Sequence, residues 1–216
     1  ALPHGQLGTL LAEESATFAA IPKIVDLASD FRLRDSLGYQ QWYGAAHPCP
    51  EELDRWIYSI PEWHRERARG ASRVANAGCF ATAFLLAITP LVRAGLVEAP
   101  LSGIGISGSS GAGKGLNARL HFSHLHEDIV TYRVGSHQHG GEIEQCLTDI
   151  SAGLWQGPAS LSTVLAPMSR GLQVIVTAPA TPAASEKSVR DALNDAYRDE
   201  PFVIVREKPP ETKHVR

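Results

Sequence analysis

The chain has 216 residues, a net charge of −3 and no run of lysine or arginine, which argues against nucleic acid or an anionic membrane as its partner. Its apolar fraction of 44% and charged fraction of 20% are those of a globular chain able to bury a core in one large domain or two small ones. Three scattered cysteines, Cys49, Cys79 and Cys146, do not make a disulfide framework, and the best apolar run, residues 80–91, is too short to span a bilayer. A cytoplasmic protein is expected. The chain opens on Ala1-Leu2-Pro3-His4-Gly5 and closes on a polar tail, so a fragment of a longer protein is expected too.

In chain order, Leu7, Leu10, Leu11, Ala16 and Phe18 trace a helical face over residues 5–20, ended by Pro22. Residues 23–28 read as a short buried strand, with Asp26 and Asp30 at its C-terminal side. Residues 38–50 read as a loop holding Trp42, Tyr43, His47 and Cys49. Helical turns are expected over 51–57 and 61–69, and a strand over 72–75 leads into the turn before Cys79. A helix over 79–96 carries Phe80, Phe84, Ala87, Ile88 and Leu91 on one face and is expected to bend or break at Pro90. A strand over 101–107 opens into Ser107-Gly108-Ser109-Ser110-Gly111-Ala112-Gly113-Lys114-Gly115. Residues 117–127 read as irregular and histidine-rich. A strand over 129–134 precedes a helix opened by Glu142. Residues 161–167 and 172–178 read as an antiparallel strand pair, 185–197 as a helix capped by Ser185, and 202–206 as a last strand. The alternation gives an α/β class, with an α+β second half built on a mixed sheet.

Cys79 sits at a helix start, where unpaired backbone N–H groups and the helix dipole favour a thiolate, the nucleophilic form. The glycine-rich loop misses a phosphate-binding P-loop by one residue: Gly115 stands where that motif needs a magnesium-binding hydroxyl. Its glycines would instead let a flat ligand approach the backbone. His121, His124, His126, His137 and His139 match no metal-ligand spacing. His137 and His139 lie at a strand-to-helix junction with Glu142 nearby, a setting for a general acid or base. A thiol and a histidine allow covalent acyl chemistry, in either a hydrolase or a thioester-forming dehydrogenase. A histidine-rich metal-binding module is the remaining alternative.

Three blocks raise the specificity: Asn76-Ala77-Gly78-Cys79-Phe80-Ala81-Thr82-Ala83, Ser107-Gly108-Ser109-Ser110-Gly111-Ala112-Gly113-Lys114, and His137-Gln138-His139-Gly140-Gly141-Glu142-Ile143-Glu144-Gln145. With Asp30-Phe31-Arg32-Leu33, Trp42-Tyr43-Gly44, Pro167-Met168-Ser169-Arg170-Gly171 and Lys213-His214-Val215-Arg216 in order, the chain resembles the N-acetyl-γ-glutamyl-phosphate reductases of arginine biosynthesis along its whole length. The resemblance implies a glyceraldehyde-phosphate-dehydrogenase-like architecture: a partial NADP-binding, Rossmann-like domain at 1–78, a mixed-sheet catalytic and dimerisation domain at 79–208, and the start of a return to the cofactor domain at 209–216. It implies an NADPH-dependent reductase that forms a thioester on Cys79, with His139 (second choice His137) moving the proton and Glu142 orienting it. Ser107, Gly108, Ser110, Gly111 and Ala112, with Leu2, Pro3 and His4, are implied cofactor contacts, and Asn76 and Arg170 implied substrate contacts. No metal is implied, and a homodimer or homotetramer is.

A carrier-linked aminoadipyl phosphate of the lysine pathway is the alternative substrate. The family usually has Pro at the position of Ala77, and Arg and Pro at those of Gln138 and Gly141. Its dinucleotide fingerprint is expected upstream of Ala1, so the chain alone is expected to bind cofactor poorly.

Overall fold

Two sheets organise the chain, and a computed structural model describes residues 2–113, 115–153, 155 and 157–215. The first sheet is wholly parallel, with β1 (Ile24–Asp26), β2 (Ile57–Ser59) and β3 (Arg73–Asn76) in the order β1-β3-β2. Around it lie α1 (Gln6–Glu13), α2 (Ser15–Ala19), α3 (Ser36–Tyr43), α4 (Pro61–Arg69) and a 3-10 segment, Pro50–Arg55. Leu7, Leu11, Phe31, Cys49, Leu53, Trp56 and Ala75 form its core. Because the strands run in parallel, Asp26, Ser59 and Asn76 finish at one edge, where parallel sheets carry their ligand sites.

From that edge the chain enters α5 (Cys79–Arg93) and the second sheet. Its strands are β4 (Leu101–Ser107), β5 (Val130–Tyr132), β6 (Ala159–Leu165) and β7 (Leu172–Thr177), in the order β5-β6-β4-β7. β4 runs parallel to β6 and antiparallel to β7, so the sheet is mixed. A short α6 (Phe122–Leu125) precedes β5, α7 (His139–Ile150) covers the sheet beside α5, and α8 (Glu186–Tyr197) packs on α5 behind a Ser185–Ser188 capping box. Two glycines explain the close seat of α5. A methyl group at Gly103 would lie 2.5 Å from Phe84 Cε2, and one at Gly105 would lie 2.5 Å from Phe80 Cδ1. On the opposite face Ile104 and Ile175 are exposed.

The expected α/β class with a mixed-sheet second half is observed, and several elements differ in detail. Residues 23–28 are not a buried strand: in β1 only Asp26 is buried, and Val25 and Leu27 face out. Much of the loop expected over 38–50 is α3, capped by Asp35, which accepts from the Gly38 amide, and ended by left-handed Gly44. Of the helical turns expected over 51–57, Pro50–Arg55 is a 3-10 segment and Ile57 opens β2. α5 runs through Pro90 to Arg93 without breaking. A proline orphans the carbonyl four residues earlier, and here that carbonyl, Leu86 O, accepts from the Tyr197 hydroxyl at 2.5 Å. β6 and β7 are not paired with each other, because β4 lies between them. Residues 202–206 form no strand, and Phe202 and Ile204 are exposed.

Candidate active site at the start of α5

Gly78 and Cys79 lie where the first sheet hands over to the second. Gly78 is the N-cap of α5, with φ −69° and ψ 152°, a conformation open to any residue. What demands glycine there is space. A methyl group on Gly78 would meet the His139 ring, 2.6 Å from both Cδ2 and Cε1 and closest to Nε2. The imidazole of the first residue of α7 therefore lies flat against the backbone of the residue before Cys79. Sequence reading opens this helix at Glu142; it opens at His139, which puts the histidine in the first turn.

Glu142 is completely buried and accepts three hydrogen bonds: from the Gly78 amide (2.8 Å), the Tyr58 hydroxyl (3.1 Å) and Arg32 Nη1 (3.1 Å). Burial pushes its carboxyl above the usual range, against the pull of the Arg32 guanidinium and the two neutral donors. Its Oε1 stands 3.7 Å from His139 Nε2, too far to be a hydrogen bond. The expected Glu142-to-His139 orienting bond is absent. The carboxylate instead anchors the turn before Cys79.

Arg32, quoted in the sequence only as part of a matching block, is the hub that sequence reasoning missed. Its side chain is buried, and its Nε donates to Asn76 O at 2.9 Å and its Nη2 to Leu27 O at 3.2 Å. Nη1 reaches Glu142 and stands 3.4 Å from His139 Nε2. One guanidinium thus ties the ends of β1 and β3 to α7. The available signal was a lone arginine next to Asp30 and Phe31, with nothing in its spacing to show that it would be buried.

His137 completes the group. Its ring centroid lies 4.5 Å from that of His139, and both rings meet Phe80 edge-on. His137 Nδ1 accepts the His139 backbone N–H at 3.2 Å. Both histidines are held neutral, their pKa values pushed down to about 3. The cause is burial first, then His139 and Arg133 for His137, and Arg32 and Arg133 for His139. Arg133 also hydrogen-bonds Gln138, so a guanidinium flanks the pair. His139 Nδ1 is buried without a partner among the described residues.

The Cys79 residue is exposed, whereas Cys49 and Cys146 are buried. The helix-start argument expects a depressed thiol pKa, and the structure reverses that sign. Desolvation of the sulfur raises it, the Phe80 amide and Arg32 pull it down, and Glu142 pushes it up again.

The remaining candidate residues fall into two further groups. Ser107, Gly108, Ser110, Gly111 and Ala112 form the turn after β4, stapled to the segment before β7 by Gly108 N–Gly171 O, Ser109 N–Met168 O and Ser110 N–Ser169 O bonds. Ser107 and Gly108 are buried and Ser110, Gly111 and Ala112 exposed. Arg170, Ser109, Ser110, Gly113, His121 and Phe122 are among the residues lining one open cavity of about 770 Å³. Arg170 and the glycine loop are thus brought together, while Cys79 and the two histidines do not line that cavity. Lys114 lies outside the described residues. Asn76, whose side-chain amide donates to Ala77 O, ends β3 three residues before Cys79.

Leu2 and Pro3 are exposed, and His4 is tied elsewhere: to Ser29 Oγ (2.7 Å), Asp30 Oδ1 (3.1 Å) and the Tyr39 hydroxyl (3.2 Å), stacked on Tyr43. Among the described residues no group of three His, Cys, Asp or Glu side chains is arranged to hold a metal ion, and no helix is long and apolar enough to cross a membrane.

Residues 79–216 match the family model described as semialdehyde dehydrogenase, dimerisation domain. The chain belongs to that family. Among its curated relatives is an N-acetyl-gamma-glutamyl-phosphate reductase of Symbiobacterium thermophilum, 40% identical over 209 residues that cover 95% of this chain and 58% of that protein. Reductases of the same name from Geobacillus stearothermophilus (39% identical, 86% of this chain, 53% of that protein) and Dehalococcoides mccartyi strain CBDB1 (35%, 100% and 62%) are similar too. The chain therefore spans little more than half the length of these relatives.

Among solved structures, aspartate semialdehyde dehydrogenase II from Vibrio cholerae has a TM-score of 0.61 at 15% identity, over 90% of this chain and 58% of its own. The Francisella tularensis enzyme scores 0.60 at 12% identity, over 86% and 60%. The semialdehyde dehydrogenase fold is therefore shared, as the sequence implies.

Proposed function

We propose that the full-length protein reduces N-acetyl-γ-glutamyl phosphate, the substrate in the name of its curated relatives, to N-acetylglutamate semialdehyde with NADPH, through a thioester on Cys79. The observation that carries this reading is the contact of His139 with Gly78, which puts a neutral imidazole beside an exposed cysteine at a helix start. The Cys79 sulfur attacks the γ-carbonyl carbon; its carbon–sulfur bond forms as the carbon–oxygen bond to phosphate breaks, and inorganic phosphate leaves. A reduced nicotinamide, when bound, supplies hydride to the thioester carbon. The carbon–sulfur bond then breaks, releasing the aldehyde and restoring the thiol. His139, uncharged in the resting site, takes the thiol proton during attack and returns it later. His137 supports the His139 amide through Nδ1. Glu142 holds the Gly78 amide and thereby the turn that presents the sulfur.

The residues present fit part of the cofactor. A methyl group at Gly113 would meet nothing within 4 Å, and the exposed loop face of Ser110, Gly111 and Ala112 adjoins the cavity. This loop would accept the flat nicotinamide end, with Arg170 at the same cavity suited to a carboxylate or phosphate. Leu2, Pro3 and His4 belong to the 1–78 cofactor portion in this reading, and the boundary with the catalytic portion falls at Gly78. Homodimeric or homotetrameric assembly is part of the reading, supported by the family's description and the exposed Ile104 and Ile175. Three free thiols suit a cytoplasmic, reducing setting.

The test is phosphate-dependent NADP reduction by N-acetylglutamate semialdehyde in the full-length protein and its Cys79→Ser variant. Loss of turnover in the variant is expected, and near-wild-type turnover refutes the mechanism. A preference for the carrier-linked aminoadipate semialdehyde would move the substrate to the lysine pathway. Activity without nicotinamide would make the protein a thiol hydrolase.

A further inference from the structure

Arg32 has no role in the chemistry above, yet it is the buried cation nearest both reacting side chains. Its three nitrogens are committed to four acceptors: Asn76 O, Leu27 O, Glu142 Oε1 and, at 3.4 Å, His139 Nε2. A guanidinium only donates. The nitrogen facing Nη1 must therefore present its lone pair, and the imidazole proton must sit on the other nitrogen.

We propose that Arg32 is the positioning residue of this site: it holds His139 in the neutral Nδ1–H tautomer, with the Nε2 lone pair accepting from Nη1 beside the start of α5.

Two further observations agree. Nε2 is the ring atom closest to where a Gly78 methyl would stand, so the nitrogen that Arg32 holds lies over the turn that carries Cys79. The competing acceptor, Glu142 Oε1, is 3.7 Å from Nε2 and already takes an Arg32 N–H, so it does not draw a proton onto Nε2.

The charged and titratable groups facing His139 are Arg32 from the loop after β1, Glu142 from its own helix, and Arg133 and His137 from the segment after β5. Tyr58 of β2 and Cys79 of α5 act on the same cluster through Glu142 and Arg32. Two of these groups are guanidinium cations, both opposing protonation of the ring. Arg32 is the one in contact.

The inference rests on Cys79 and His139 being the reacting pair, but its decisive readout needs no turnover. Long-range proton–nitrogen spectra of the 15N-histidine-labelled full-length protein report each ring's tautomer directly. In wild type His139 is expected as Nδ1–H and His137 as Nε2–H, neither protonating between pH 5 and 8. A wild-type His139 found as Nε2–H overturns the proposal, whatever any variant does. In Arg32→Met, or in Arg32→Met/Glu142→Gln if the single variant fails to fold, Nε2–H is expected to gain population and protonation to enter the pH 5–8 window. The pH midpoint of Cys79 alkylation should also move upward. An unchanged tautomer and unchanged midpoint reduce Arg32 to a structural tie.

Arg32→Lys keeps the charge and loses the fork. It should lower kcat on the order of 10²-fold with KM little changed, the scale of a reacting group misplaced by about 1 Å. Failure of Cys79→Ser to abolish activity would instead remove the mechanism and leave the tautomer result standing.

Discussion

Replacing Gly78 by alanine isolates the contact between the cysteine turn and the histidine helix. The backbone at Gly78, with φ −69° and ψ 152°, accepts alanine without strain, and the Gly78 N–H to Glu142 Oε2 bond survives. All that changes is one methyl group. It would stand 2.6 Å from His139 Cδ2 and Cε1, where ordinary contact begins near 3.4 Å, so the ring must withdraw by roughly 0.8 Å or more. That ring is buried between Arg32, His137 and Phe80.

Overpacking of this kind costs about 1–3 kcal/mol, and each kcal/mol lowers Tm by about 2–4 °C in a domain of this size. Displacement of a reacting group by about 1 Å costs on the order of 10²-fold in rate. The assay pairs thermal unfolding with steady-state reduction of NADP in full-length wild type and Gly78→Ala. A Tm drop within that range, a large fall in kcat and a KM little changed are expected. An alanine variant with wild-type kcat refutes the idea that His139 must touch the turn before Cys79. A variant with wild-type Tm refutes the packing.

A second glycine contact predicts its own rescue. A methyl group on Gly141 would lie 2.5 Å from Trp42 Cδ1, so Gly141→Ala should destabilise by about 1–3 kcal/mol. Trp42→Leu should recover part of that loss, and strict additivity of the two changes would refute the contact. Thiol chemistry gives a third test. Iodoacetamide with mass-spectrometric readout should label Cys79 before Cys49 and Cys146, which are buried and whose thiols are pushed up to about 12. Because the Cys79 thiol is itself raised, its labelling should climb with pH above neutrality; a rate already at its plateau at pH 7 contradicts that sign.

The fourth prediction concerns acid. His137 and His139 have folded pKa values of about 3 against 6.5 unfolded, so below pH 6.5 the unfolded chain binds protons that the folded one refuses. The stability they contribute is present above pH 6.5 and is lost as pH falls towards 3. Urea midpoints should fall across that window, less steeply in His137→Gln, and equal slopes would refute the assignment.

How much of this was legible in the sequence differs from residue to residue. The α/β order, the Cys79 helix start, the glycine turn after β4 and the capped α8 follow from local patterns: apolar spacing, glycine clusters and a Ser at an N-cap. α3 escaped because Trp42 and Tyr43 lie among polar residues with no apolar stripe. What stops that helix is Gly44, and what starts it is Asp35. The continuity of α5 through Pro90 depends on a hydroxyl from Tyr197, 107 positions further along the chain, so no window around the proline reveals it.

The site divides in the same way. Sequence alone singled out Cys79, His137, His139 and Glu142 as the candidates of their segments, since residue type and position at an element's start are local properties. Only the tertiary structure decided what each does to the others. It buried Glu142 and gave its oxygens to Arg32, Tyr58 and Gly78 rather than to His139. It raised the Cys79 thiol where the helix start alone argues for lowering it. It also placed Arg32, 47 residues before Cys79 and 107 before His139 in the chain, against the acceptors of both neighbourhoods. Desolvation and Coulomb interaction depend on distance through space, and folding sets those distances.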